Sequence, residues 1–377
     1  MKKKILALAL ASLMVFATAC GPKKDDSSSK AEGNVTQSTQ LKAIAKDDLK
    51  VGFVYIGDIN DGGYTQAHDQ GRIELEKMGI KCKYVENVKE EATEVTTAIE
   101  NLIAGGCNVI YSTSFGFGKY TKEMAKKYPK VYFGHATGGE YTGNMTTYMG
   151  KVEEPRYLAG IVAGLKTKSN EIGYVGAFPI GEVIRGINAF TLGVRSVNPN
   201  ATVEVAWTNT WYDPAKEKQA AQSLLNKGCD VMAQHQDSTA TQVAAQEAGA
   251  YAIGYNLPTP TAAPKAYLTA PLYHWDIFYK KDIQSIIDGE WQAKNIWDGM
   301  STGMVSLDKL TSNCAPGTQE KVEEAQKKIL DGSFTIFAGP IKDNTGAVKV
   351  EKSEKMSDDK IWNMDWFVEG VIGYTKN

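Results

Sequence analysis

Residues 228–239 read GCDVMAQHQDST. Cys229, Val231, Met232 and Ala233 have the apolar character of a buried strand, and the run then ends in a polar cluster, Gln234 to Thr239. A helical pattern follows from Thr241 to Ala248. An apolar strand that stops at a polar cluster and passes into a helix marks the carboxyl edge of a parallel sheet, where open α/β sheets bind ligands. Residues 106–115, GCNVIYSTSF, have the same design.

Working outward from these two stretches exposes an internal repeat. Strands are predicted to start at Val51 and Ile172. The next starts lie 30 residues on in the first round (51 to 81) and 31 in the second (172 to 203). The third lie 56 and 57 residues on, at Cys107 and Cys229. Helices fill the gaps. Ala92, Val95, Ile99, Leu102 and Ile103 recur at spacings of three and four, one apolar face. Pro155, with Glu153 and Glu154 beside it, opens another helix. Alternating strand and helix implies parallel sheets covered on both faces. A period this long is lobe duplication, so the expected fold is α/β, with two Rossmann-like lobes of one topology.

The expected lobes are 48–150 plus 257–300 and 151–256 plus 301–377, crossing at the proline-rich run LPTPTAAP after Asn256. Further strands are expected at Met300–Leu307 and Thr335–Ile341. Upstream, Lys2 to Lys4 precede a short apolar run, Ile5–Phe16, and Ala17-Thr18-Ala19-Cys20-Gly21 is similar to a bacterial lipobox. The expectation is a signal peptide over 1–20, lipid on Cys20, and a flexible tether over 21–47, whose composition cannot bury a core.

A chain of 377 residues with a net charge of −2 and no basic stripe gives no support for nucleic-acid binding. None of the nucleotide-loop, nucleophile-elbow or zinc-protease motifs occurs, and the four histidines are scattered. No catalytic residue, metal or cofactor is therefore assigned. His235, Asp237 and Ser238 make no hydrolase triad, because residues two apart on a strand face the same way and Ser238 faces the other. Cys82, Cys107 and Cys229 read as buried thiols in strands, with a Cys82–Cys107 disulfide as the alternative in an exported protein.

Candidate binding residues lie at the strand ends. Asp58 and Tyr64 belong to the loop GDINDGGYT, where free helix N–H groups and two glycines allow close approach. Ser114 and Phe115 end the third strand. Trp207, Asn209 and Trp211 follow the second strand of the second round. A tryptophan here is either packing or a stacking wall worth roughly 1–3 kcal/mol per stacked base.

WYDPAKE at Trp211–Glu217, AGPIKDNTG at Ala338–Gly346 and MDWFVEGV at Met364–Val371, with the lipobox-like start, resemble the basic membrane protein family, the PnrA-like substrate-binding lipoproteins of ABC transporters. The resemblance runs from about Leu49 to the end. It implies a type I periplasmic-binding-protein fold, with a purine nucleoside held between aromatic rings in the cleft. Tyr64 inherits the stacking role of the family's first-lobe phenylalanine. Where the family carries Arg-Phe, this chain has Arg185-Gly186, so Trp207 or Trp211 is expected to replace the second ring. Asn256 stands where an aspartate is common, and HQDST replaces a glycine-rich loop. His235, Gln236, Asp237, Asn256 and Ser114 are then expected to read the ligand's polar edges. These departures fit a purine base or another flat heterocycle. The implied protein is a monomeric, lipid-anchored extracytoplasmic receptor that serves permease subunits. Riboflavin binding and a secreted nucleoside-processing enzyme are the alternatives.

Overall fold

The computed structural model describes residues 41–375, so Cys20, the signal segment and most of the expected tether lie outside the described residues. The first round builds β1 (Lys50–Val54), α1 (Tyr64–Lys77), β2 (Lys81–Val85), α2 (Ala92–Ala104), β3 (Val109–Ser112), α3 (Gly118–Lys127), β4 (Tyr132–Ala136) and β5 (Met145–Gly150). The second builds α4 (Glu153–Lys166), β6 (Glu171–Gly176), α5 (Gly181–Val197), β7 (Thr202–Trp207), α6 (Pro214–Asn226), β8 (Val231–His235), α7 (Ala240–Glu247) and β9 (Tyr251–Ile253). After them come β10 (Tyr267–Thr269), β11 (Pro271–Tyr273), α8 (Trp275–Asp288), β12 (Asn295–Asp298) and β13 (Val305–Leu307). The chain ends with α9 (Thr318–Leu330), β14 (Ile341–Lys342), β15 (Val348–Val350), α10 (Asp358–Trp362) and β16 (Val371–Ile372).

Two six-stranded sheets result, ordered β12-β5-β4-β3-β1-β2 and β10-β9-β8-β6-β7-β16. All their ladders are parallel. The repeat is visible in the register. Val51 stands between Cys82 and Val109, and Ile172 stands between Val203 and Val231. In both sheets the order reverses at the first strand of the round, so the loops after β1 and β3, and after β6 and β8, open at a switch-point edge.

Three expectations need correction. The crossing lies after Thr269 and not at residue 257, because β10 pairs with β9 in the second sheet. Ala263 of the proline-rich run and Ala266 just beyond it are buried in that lobe's core with Leu224 and Met232. Of Thr335–Ile341 only Ile341 enters a ladder, since the chain turns to bury Phe337. Met300–Leu307 divides into a turn of 3-10 helix at Met300–Thr302 and β13, which pairs antiparallel with β11 where the chain passes between the lobes. The four described cysteines, Cys82, Cys107, Cys229 and Cys314, are free thiols. Among the described residues no helix is long and apolar enough to cross a membrane.

The lobes touch at the strand-end edge. A Cβ built on Gly63, at the start of α1, would lie 2.4 Å from the Asp237 carbonyl oxygen beyond β8. One on Gly62 would lie 3.7 Å from Cγ2 of Thr239. The space beside Gly63 is thus closed to a side chain. Gly63→Ala should therefore fold with unchanged circular dichroism but fail to reach the compact form. Small-angle scattering should give it a larger radius of gyration than the parent chain; identical curves would show that this contact does not limit how closely the lobes approach.

Candidate functional site: the cleft between the lobes

The first lobe presents three strand ends. After β1, the Asp61 carboxylate accepts N–H bonds from Gly63 (2.8 Å), Thr65 (2.8 Å) and Gln66 (3.0 Å), fixing the start of α1. This aims Tyr64, the first helical residue, into the cleft. Its ring stands edge-on to His68 at 4.5 Å and to Trp275 at 6.0 Å. Asp58 does not line the cleft: it is exposed and accepts from Asn60 of its own turn (2.7 and 3.1 Å). After β3, Ser114 donates its hydroxyl to Glu90 (2.5 Å), which also receives the Gly116 N–H (2.7 Å). Phe115, half exposed, stands at the rim. After β4, Thr137 takes a positive φ of 67° and reaches the same space.

The second lobe supplies the floor and far wall. His235 ends β8. Its Nε2 lies 3.2 Å from the Tyr255 hydroxyl and 3.4 Å from the Glu182 carboxylate at the start of α5. Burial withholds the water an imidazolium needs and pushes His235 down to about 4, so the ring is neutral at pH 7. Asp237 is pushed the other way, well above the usual carboxylate range, by burial first and then by Asp61, Glu217, Glu182 and Glu90. Trp211 closes the side of the cleft, edge-on to Phe178 at 5.0 Å. Together Ile56, Tyr64, Ser114, Phe115, Thr137, Glu182, Trp211, His235, Asp237 and Tyr255 line the cleft.

Of the expected residues, Tyr64, Ser114, Phe115, Trp211, His235 and Asp237 therefore meet in one cleft. Four stand away from it. Asp58 is noted above. Trp207 is turned to the outer end of its sheet, where it stacks on Phe367 (6.3 Å, 8°) and donates its indole N–H to the Tyr374 carbonyl (2.9 Å). Asn209 is exposed, and its N–H bonds Ala177. Arg185 is buried between Trp297 (5.1 Å) and Trp362 (4.8 Å), 3.9 Å from Glu153. Two others are buried without bordering the cleft. Gln236 braces the loop by donating to Thr208 (2.7 Å). Asn256 is fully buried with no partner for either amide atom among the described residues.

Glu182, Tyr255, Thr137 and Ile56 were missed. Glu182 carried a usable signal, because it follows β6 as the glycine-rich loop follows β1. Tyr255 ends an apolar run, YAIGY, and nothing local separates it from core. Among the described residues, buried polar atoms without a partner include Tyr64 Oη, Thr137 Oγ1, His235 Nδ1, Gln236 Oε1 and both amide atoms of Asn256. Each such atom costs about 1–3 kcal/mol when nothing meets it. That is tolerable in a cleft built to receive a polar molecule.

The imidazoles can be read directly. His135, buried behind Ser114, is also pushed down to about 4 by burial. Both rings should titrate near pH 4 in proton NMR and not near their ordinary 6.5. Their contribution to stability is complete above pH 6.5 and declines as pH falls toward 4. A His235 ring titrating near 6.5 would mean that water reaches it freely.

The sequence model of the Bmp family, described as ABC transporter substrate-binding protein PnrA-like, matches residues 48–336. The chain is 39% identical over 332 residues to a purine-binding protein of Brucella abortus, covering 87% of this chain and 94% of that one. It is also 39% identical over 329 residues to a Haloferax volcanii protein named as a glucose-binding protein of an ABC transporter, covering 87% and 81%. Among solved structures, an ABC transporter solute-binding protein of Aeropyrum pernix superposes with a TM-score of 0.67 at 17% identity, covering 83% of this chain and 95% of that one, a likeness of fold. The resemblance read from the sequence motifs is borne out: the chain belongs to the PnrA-like Bmp family of ABC transporter substrate-binding proteins.

Proposed function

We propose that the chain is a receptor that closes its lobes on a purine base or purine nucleoside and delivers it to an importer. Substrate-binding proteins of this class work outside the cytoplasm, hold a small molecule and meet permease subunits. The finer reading rests on one observation: aromatic faces and buried acceptors from both lobes converge on a single cleft. Tyr64 and Trp211 would flank a flat ring. Glu182 and Asp237 would take its N–H groups, and Ser114 and the neutral His235 would meet its remaining edge atoms. The Brucella protein's name supports the same choice. Asn256 and Gln236 would shape the floor from behind. Arg185 would support α5, and Asp58, Asn209 and Trp207 would lie outside the contact set. Lipid on Cys20 and a monomeric state complete the proposal.

Closure follows from population shift. A ligand that touches both lobes binds the closed form better than the open one and so draws the protein toward it. A sugar is the second reading, favoured by the Haloferax relative's name, since aromatic faces and carboxylates also hold sugar hydroxyls.

Isothermal titration of the delipidated protein with adenine, hypoxanthine, their nucleosides, riboflavin and glucose separates these readings. Heat is expected with purines; heat with glucose alone would replace the purine reading with the sugar reading. Asp237→Ala should weaken purine binding by about 1.5–3 kcal/mol if its carboxyl group bonds the ligand. Unchanged affinity would move ligand choice to Trp211 and Glu182.

A further inference from the structure

Gly186 sits in α5 one turn beyond Glu182. Two other helix glycines are shut against backbone: a Cβ on Gly160 would lie 2.0 Å from the Phe190 carbonyl oxygen, and one on Gly193 would lie 2.0 Å from that of Tyr157. Gly186 is different. A Cβ there would meet nothing nearer than 3.8 Å, and the three atoms around it are all polar: Arg156 Nε at 3.8 Å, His235 Nδ1 at 3.8 Å and Tyr174 Oη at 4.0 Å. All three are buried, and none has a hydrogen-bond partner among the described residues.

Arg156 makes this convergence pointed. It is fully buried, and its Nη1 donates to the Gln234 carbonyl (2.8 Å), while Nε and Nη2 have no acceptor among the described residues. Its guanidinium carbon lies over the Tyr255 ring (3.9 Å) and near that of Tyr174 (5.5 Å). A buried cation with free N–H groups is costly unless something brings it an acceptor. His235 is the shared wall: its ring borders the cleft, while Nδ1 faces the space beside Gly186.

We propose that Arg156 and Tyr174, around the gap left by Gly186 and beside the neutral ring of His235, form a subsite that receives one acceptor oxygen of the ligand. The inference rests on the purine reading and sharpens it. Guanidinium N–H groups only donate, so an amino substituent would leave them unmet and set its own N–H groups against them. The oxygen has two sources, the exocyclic oxygen of a 6-oxopurine or a hydroxyl of the nucleoside's sugar. Both present the same chemistry.

Hypoxanthine carries the first, adenosine the second, and adenine neither. Calorimetry on the wild-type chain should show hypoxanthine, adenosine or both binding at least about tenfold tighter than adenine, as one hydrogen bond to a charged group provides. Gly186→Ala places a methyl group over the three polar atoms without a clash, and alanine is the better helix former, so its melting temperature should not fall. It should lose at least about tenfold more affinity for the oxygen-bearing ligand than for adenine. Tyr174→Phe, which removes a hydroxyl with no partner among the described residues, should show a smaller loss of the same sign. A loss with hypoxanthine assigns the subsite to the base oxygen, and a loss with adenosine alone assigns it to the sugar. Equal losses for all three ligands, or none in either variant, would overturn the subsite and leave the purine reading standing. A wild-type chain that binds no purine would overturn the purine reading, and the subsite with it.

Discussion

The architecture turns on how closely two backbones approach. The loop after β1 and the loop after β8 come together at Gly63 and Asp237, with no room for a Cβ between them. The side chains around this contact can enclose a molecule only because both loops sit at the carboxyl ends of parallel strands. Duplicating one α/β round supplies two such edges, and the crossings at β11 and β13 set them face to face. Asp61 serves the same geometry from within, by tying the first N–H groups of α1 and directing Tyr64 inward.

Electrostatics gives the cleft its chemical bias. Glu182 and Asp237 border it, with Asp61, Glu90 and Glu217 close behind. Burial makes the charge of Asp237 expensive and keeps His235 neutral. A buried cation, Arg156, lies beneath Tyr255 and not in the cleft mouth. The cleft is thus acceptor-rich at its surface and donor-rich one layer down, which suits a ligand with N–H groups on one edge and an oxygen on another.

Much of this was legible in the chain. The strand starts at 51, 81, 172 and 203 fell within a residue or two of the ladders, because buried strands must be apolar and turn residues must separate them. The edge strand β12 was not legible: Asn295–Asp298 is half polar and reads as loop until β5 pairs with it. Trp207 and Trp211 show the limit more sharply. Both are tryptophans in one polar strand end, yet one packs on Phe367 and the other borders the cleft. Nothing within four residues of sequence sets their directions; the course of the loop does.

The sequence by itself determined the duplicated α/β design, the family and the strand ends from which a site could be built, because periodicity and turn chemistry are local properties. It marked HQDST at the end of β8 as the most polar of these ends. Tertiary structure alone decided which of its side chains serve the cleft: His235 and Asp237 border it, whereas Gln236 braces Thr208 and Ser238 bonds Glu217. It alone brought Glu182 and Tyr255 beside them and set Arg156, Tyr174 and His235 around the missing side chain of Gly186. The physical reason is that a hydrogen-bond partner or a ring face is chosen by proximity in space, between residues that share no pattern along the chain.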